Sequence, residues 1–316
     1  MGRYLSLFAA VSLLIACQPG DFPGGGYDSS GRIGTGEVSA ITETSAVLSG
    51  YVNMPDGSGA RFGIVYSTDK TPTLENGKTL RSWDLDDNNQ FSCQATGLLI
   101  AETYYYRAFL VENARYRWGK TISFTTKDFT GNGQEAVDLG LSVKWRAGNL
   151  GTSDPFSAGD YYAWGETAPK TDYFQNNYVW SRGDEFTKYN HEDGKLELDP
   201  ADDAARVRLG GSWRMPTYAE FRELLSCPRT WTGRKGVMGI LFTGPSGAKI
   251  FLPAVGDRVG TNTDAEGNRG CYWSSTLPSP NSYYAWLAYM HSGVVTMTSS
   301  TGFGRYHGQS IRPVSD

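Results

Sequence analysis

Gly97-Leu98-Leu99-Ile100-Ala101-Glu102-Thr103-Tyr104-Tyr105-Tyr106-Arg107-Ala108 is the stretch that decides the first half of the chain. A glycine and a short apolar turn feed three consecutive tyrosines, and aromatic residues fit a pleated, half-buried surface better than a helix. Working outward, Gln90–Thr96 puts Phe91, Cys93 and Ala95 on one face, and Arg61–Thr68 does the same with Phe62, Ile64 and Tyr66. Ser45–Asn53 alternates Ala46, Leu48, Gly50 and Val52 against Ser45, Val47, Ser49 and Tyr51. Such period-two runs between turn residues predict strands. Gly119–Thr126 closes the series.

A Gly-Leu turn running into a tyrosine-rich strand resembles the tyrosine corner of sandwich domains, with Tyr104 bonding back to the preceding loop. The usual proline of that loop is replaced here, near Ile100. Most of residues 37–126 resembles a fibronectin type III-like domain of the version common in Bacteroidetes surface proteins. That resemblance implies an all-β immunoglobulin-like sandwich serving as a spacer. Asp84, Asp86 and Asp87 read as a solvated turn rather than a calcium loop, and Cys93 as a buried free thiol.

Composition frames the rest. The chain has 316 residues, which predicts two domains. With 39% hydrophobic residues, Gly 39, Tyr 19 and Trp 9, it has material for packed cores joined by turns. Its net charge of −4, without a basic block, argues against nucleic-acid binding. Three histidines and four cysteines stand outside metal-ligand spacing, so no metal or other cofactor is expected.

At the amino terminus Arg3 precedes the apolar run Leu5–Ala16, too short to cross roughly 30 Å of hydrocarbon. It fits a signal-peptide core. Leu14-Ile15-Ala16-Cys17 resembles a bacterial lipobox, which implies removal of residues 1–16 and lipidation of Cys17. Residues 17–36, rich in Gly, Pro and Ser, read as a flexible tether. The expected location is the outer membrane, facing the cell surface, with the lipid anchor as the sole membrane contact.

Residues 127–135 read as a polar linker, and 136–316 as a second domain. Val137–Trp145 looks like a tight hairpin. Asp199 with Pro200 predicts a short helix, and the Thr217–Glu220 capping box predicts another carrying Phe221, Leu224 and Leu225. Apolar segments follow at Met238–Thr243, Lys249–Pro253, Cys271–Ser275, Ala285–Met290, Val294–Met297 and Ser310–Val314. Helices and then a run of strands predict an α+β domain. The set VDLGLSVKW, DYYAWGET, GGSWRMPT, IFLPAVG, YWSS and SIRPV resembles the Fibrobacter succinogenes major paralogous domain. That family implies a C-type-lectin-like fold related to formylglycine-generating enzymes.

Those oxidases need a close cysteine pair, whereas Cys227 and Cys271 stand far apart, either bridged or separate. No catalytic residue is expected, and His191, His291 and His307 read as solvated loop residues. The Glu-Pro-Asn, Gln-Pro-Asp and Trp-Asn-Asp tripeptides of calcium-dependent lectins are absent. Trp145, Trp164, Trp213, Trp273 and Trp286 read as core. The loop Asp257–Gly270 carries candidate ligand-binding residues for hydrogen bonding, Asp257, Asp264, Glu266, Asn268 and Arg269; Tyr283, Tyr284 and, in the loop Ser299–Gly308, Tyr306 add stacking faces, with Arg305 as a charged partner. The expected function is non-enzymatic binding or adhesion, with a glycan or a surface or extracellular protein as partner. A structural pilus-associated or surface-assembly subunit is the alternative.

Overall fold

The computed structural model of the chain describes residues 26–27, 30–53, 59–129, 131–300 and 302–316. The signal peptide and Cys17 lie outside them. The chain divides into two compact units. The first holds the described residues before Thr42, with Ala46–Ala95 and Thr103–Thr125; the second holds Thr42–Ser45, Thr96–Glu102 and Thr126–Asp316.

The first unit is a β-sandwich. In chain order its strands are β1 (Gly26–Tyr27), β2 (Ile33–Ser39), β3 (Ser45–Val52), β4 (Arg61–Ser67), β5 (Lys78–Ser82), β6 (Gln90–Thr96), β7 (Thr103–Glu112), β8 (Arg115–Trp118) and β9 (Ile122–Thr125). One sheet runs β1-β2-β3-β6; the other runs β5-β4-β7-β8, with β9 also on β7. The alternation read from sequence sets the core: Ala46, Leu48 and Val52 from β3 lie buried, as do Phe91, Cys93 and Ala95 from β6. Phe62, Ile64, Tyr106, Ala108 and Leu110 are buried from the opposite sheet. The sheets are also tied by polar contacts: Tyr106 Oη donates to Gly36 O at 2.7 Å, and Ala108 N to Thr35 Oγ1 at 3.0 Å. Gly50 is required where they meet, because a Cβ there would strike the Phe91 ring. Tyr104 lies buried, stacked on Phe124 at 5.8 Å and edge-on to Tyr66. Asp86 closes its turn by accepting from Asn88 N and Gln90 N.

The second unit overturns the α+β, C-type-lectin-like expectation. It is mostly β, cut into many small sheets, and among the described residues its helical content is two short α-helices and one 3-10 turn at Gln175–Asn177. Its elements in order are β10 (Ala136–Val137), β11 (Lys144–Arg146), β12 (Ser181–Arg182), β13 (Glu185–Phe186), α1 (Ala204–Leu209), α2 (Tyr218–Ser226), β14 (Arg229–Arg234), β15 (Val237–Thr243), β16 (Lys249–Pro253), β17 (Asp257–Val259), β18 (Asn262–Asp264), β19 (Arg269–Trp273), β20 (Leu287–His291), β21 (Val294–Thr298) and β22 (Val314–Ser315). They pair as β10-β11-β22, β12-β13, β14-β15-β16, β17-β18 and β19-β20-β21.

Helix α2 begins as expected, with Thr217 and Glu220 reciprocally capped. The helix expected at Asp199 is instead α1, capped by Asp203, whose carboxylate accepts from Arg206 N. Asp199 is drawn away by Lys188 and Lys195. Long irregular stretches leave buried carbonyls without ladder partners, and such groups need donors. Here arginine and tryptophan supply them. Arg312, fully buried, donates to Asn149 Oδ1 at 2.9 Å, to Phe251 O at 2.8 Å, and to the Arg146 and Ala147 carbonyls. Burial pulls its guanidinium down to about 10. Arg146 donates to Gly148 O, Asn149 O and Thr152 O. The Trp164 and Trp273 indoles donate to Ser274 O and Tyr162 O.

Trp145, Trp164 and Trp273 are fully buried, while Trp213 and Trp286 are half-buried. Cys227 and Cys271 are separate buried thiols, and Cys93 is likewise unbridged. Burial pushes the Cys93 thiol up to about 11.

Candidate functional site

The loop residues singled out from sequence fall into two groups. Asp257–Gly270 is not an open loop, because β17 and β18 pair into a hairpin through Asp257↔Asp264 and Val259↔Asn262. Asp257 is buried, and its carboxylate is held by Arg269, which also bonds Asp264 at 2.8 Å. Burial raises the Asp257 pKa against the pull of Arg269. These charges therefore satisfy one another. Glu266 and Asn268 lie in the turn beyond, where Asn268 Nδ2 reaches Glu266 O at 3.5 Å.

The second group does gather. Tyr283 meets Tyr284 at 5.1 Å, Tyr306 at 5.9 Å and Phe186 at 6.0 Å, and its hydroxyl donates to Gln175 Oε1 at 3.0 Å. All three tyrosines are half-buried. Arg305 is fully buried, which corrects its reading as a charged contact for a ligand. Its guanidinium lies 3.5 Å over the Phe186 ring and 5.6 Å from Trp164, with Nη1 donating to Tyr189 O. The cation is held by aromatic faces rather than by a carboxylate. His307, read as solvated, is buried as well, because Gly304–His307 closes a turn and Gly308 pairs with Arg258. Burial pulls its imidazole down to about 4, with Arg269 adding to the effect.

A better-formed site lies elsewhere in the second unit, in residues not singled out from sequence. A cleft of about 340 Å³ is lined by Gly165–Ala168, Lys170, Asn177, Val179, Trp180, Ala201 and Asp202. Trp180 forms its aromatic wall: half-buried, it donates from Nε1 to Gly165 O at 2.9 Å, with the Lys188 ammonium 5.0 Å from its ring. Gly165 holds φ +76, a left-handed conformation natural to glycine, and a Cβ there would sit 3.0 Å from Trp180 Nε1. Close approach of backbone and indole thus depends on this glycine.

Two buried carboxylates flank the wall. Glu166 accepts from Lys170 Nζ at 2.9–3.0 Å and from Val179 N at 2.9 Å. Lys170 is held in turn by Asn177 Oδ1 and O, both at 3.2 Å. Asp202 Oδ2 accepts from Lys188 Nζ at 2.5 Å and from the Tyr189 hydroxyl. Its Oδ1 has no donor among the described residues. Val179 is 57% exposed, so an apolar surface continues at the mouth. An aromatic face, an apolar rim and a fixed, charged acceptor suit a ligand with a hydroxyl edge and a C–H face. The sequence signal was present in DYYAWGET and in the aromatic stretch after it, yet nothing local joined Glu166 to Trp180 or Asp202.

No family model and no curated protein matches the chain. Among solved structures it is similar to the sensor domain of the anti-sigma factor RsgI4 in Pseudobacteroides cellulosolvens, at 23% identity and TM-score 0.26, over 31% of this chain and 95% of that one. A redesigned β-sandwich protein gives 18% and 0.24, over 30% and 92%. The fibronectin type-III domain of human fibronectin type III domain containing protein 3 gives 12% and 0.24, over 32% and 89%.

Proposed function

We propose that the chain is a non-enzymatic envelope lipoprotein that binds a glycan in the Trp180 cleft, with the sandwich acting as a fibronectin type III-like spacer. The observation that carries this reading is the pairing of the half-buried Trp180 wall with Asp202 Oδ1, an acceptor without a donor among the described residues. A sugar ring stacks its C–H face on the indole and donates a hydroxyl to the carboxylate. Glu166 and Asp202 each sit in an ion pair, which suits them to accept hydrogen bonds. The half-buried tyrosines around Tyr283 add a second aromatic surface in the same unit. Anchoring follows the lipobox reading: Cys17 takes the lipid.

A glycan array probed with the full chain tests the binding. Selective retention of a neutral glycan, lost in Trp180→Ala, supports the reading; an array without retained glycans overturns it. Metabolic fatty-acid labelling that persists in Cys17→Ser overturns the anchor.

A further inference from the structure

The outer face of the sandwich sheet carries a second, chemically different cleft. Across β5, β4, β7 and β8 the register aligns Arg81, Gly63, Phe109 and Trp118 in one row; the next row aligns Arg61, Val111 and Tyr116. Gly63 stands where a side chain would fill the middle, since a Cβ there would collide with Leu80 O and sit 3.0 Å from the Phe109 ring. The resulting depression, about 410 Å³, has buried Phe109 and Val111 in its lining beside Tyr116, Arg61 and Arg81. That volume lies within the roughly 300–1,000 Å³ range of small-molecule sites.

The charges are one-sided. Arg61 and Arg81 make no ion pair among the described residues, and no carboxylate lines the cleft. A third guanidinium on the same face, Arg107, stacks 4.0 Å over Trp118, which in turn stacks on Tyr116 at 5.8 Å. On a chain of net charge −4, a face whose three arginines make no ion pair among the described residues is built against the overall charge. Guanidinium forks match a carboxylate bidentately, while Tyr116, 50% exposed, presents a ring for a flat apolar surface.

We propose that this cleft binds a carboxylated sugar of the hexuronate type, its carboxylate between Arg61 and Arg81 and its C–H face against Tyr116. The site is independent of the Trp180 cleft.

Saturation-transfer NMR of the full chain with D-glucuronate, D-glucose and benzoate tests it. Glucuronate is expected to bind saturably, to bind at least about tenfold more tightly than glucose, and to weaken as salt rises. Arg61→Gln with Arg81→Gln is expected to remove glucuronate binding, and Tyr116→Ala to weaken it, both with an unchanged melting temperature. Trp180→Ala leaves glucuronate binding intact. Benzoate binding as tightly as glucuronate overturns the sugar assignment. Glucuronate affinity unchanged in the double arginine variant, or lost in Trp180→Ala, overturns the site.

Discussion

The two units solve the same problem, burying backbone polar groups, by different means. In the sandwich nearly every inward strand residue is apolar, and the backbone is satisfied by ladders such as β4 with β7, paired from Arg61↔Val111 to Ser67↔Tyr105. In the second unit the ladders are short and the irregular backbone between them is buried. Donors must then come from side chains, so Arg146, Arg312, Trp164 and Trp273 occupy positions that would be aliphatic in the sandwich. The difference teaches that a buried arginine can do for coil what a neighbouring strand does for a strand. It also leaves the second unit with fixed polar groups deep in its structure, from which a binding cleft can be built.

The largest expected effect is at Arg312. Arg312→Met keeps an unbranched apolar stem and strips donors from Asn149 and three carbonyls. It should cost at least about 4 kcal/mol, since four acceptors lose a donor at about 1–3 kcal/mol each. The shape-trimming change Ile64→Val in the sandwich should cost only about 0.5–1.5 kcal/mol. Denaturant titrations followed by circular dichroism measure both. Equal costs would break the comparison.

Next comes acid sensitivity. His307 has a folded pKa of about 4, below its ordinary value of 6.5, so the folded state keeps it neutral. Above about pH 6.5 neither state is protonated and the residue is silent. As pH falls from 6.5 to about 4 the unfolded state takes up the proton first, so stability is lost, by up to ~3 kcal/mol, and the loss levels off below. In His307→Gln this component of the slope should vanish; stability curves of variant and parent that run parallel across that window would remove the claim.

The smallest effect is local. Thr217→Ala removes one half of the α2 capping box and should cost about 1 kcal/mol. Calorimetric melting should detect it, and a variant melting with the parent would assign the helix start to tertiary packing instead.

Legibility followed the same divide. Ser45–Val52 and Gln90–Thr96 were readable because one face is apolar and the period is two. Lys249–Pro253 and α2 were readable for equally local reasons, a short apolar run and a capping box. Asp199 and Asp203 look alike as caps from sequence, and the choice between them is set by side-chain pairing: Asp199 goes to Lys188 and Lys195 while Asp203 accepts from Arg206 N. Two helical signals and a string of apolar runs suggested an α+β domain, but how much coil would separate the sheets is not written in any local pattern. From sequence Arg305 reads as a surface group, because arginine is rarely fully buried; the Phe186 and Trp164 faces that hold it come from remote segments. The Trp180 cleft stayed hidden for that reason too, since Glu166, Lys170, Trp180 and Asp202 converge only through irregular backbone.

Titration calorimetry of the best array glycan against the parent, Trp180→Phe and Trp180→Ala tests the binding claim most directly. Ala should lower affinity at least about tenfold, equivalent to ~1.4 kcal/mol, Phe should retain part of it, and all three should melt within about a degree or two of one another. Binding to Trp180→Ala at parental affinity, with the fold intact, would contradict that claim.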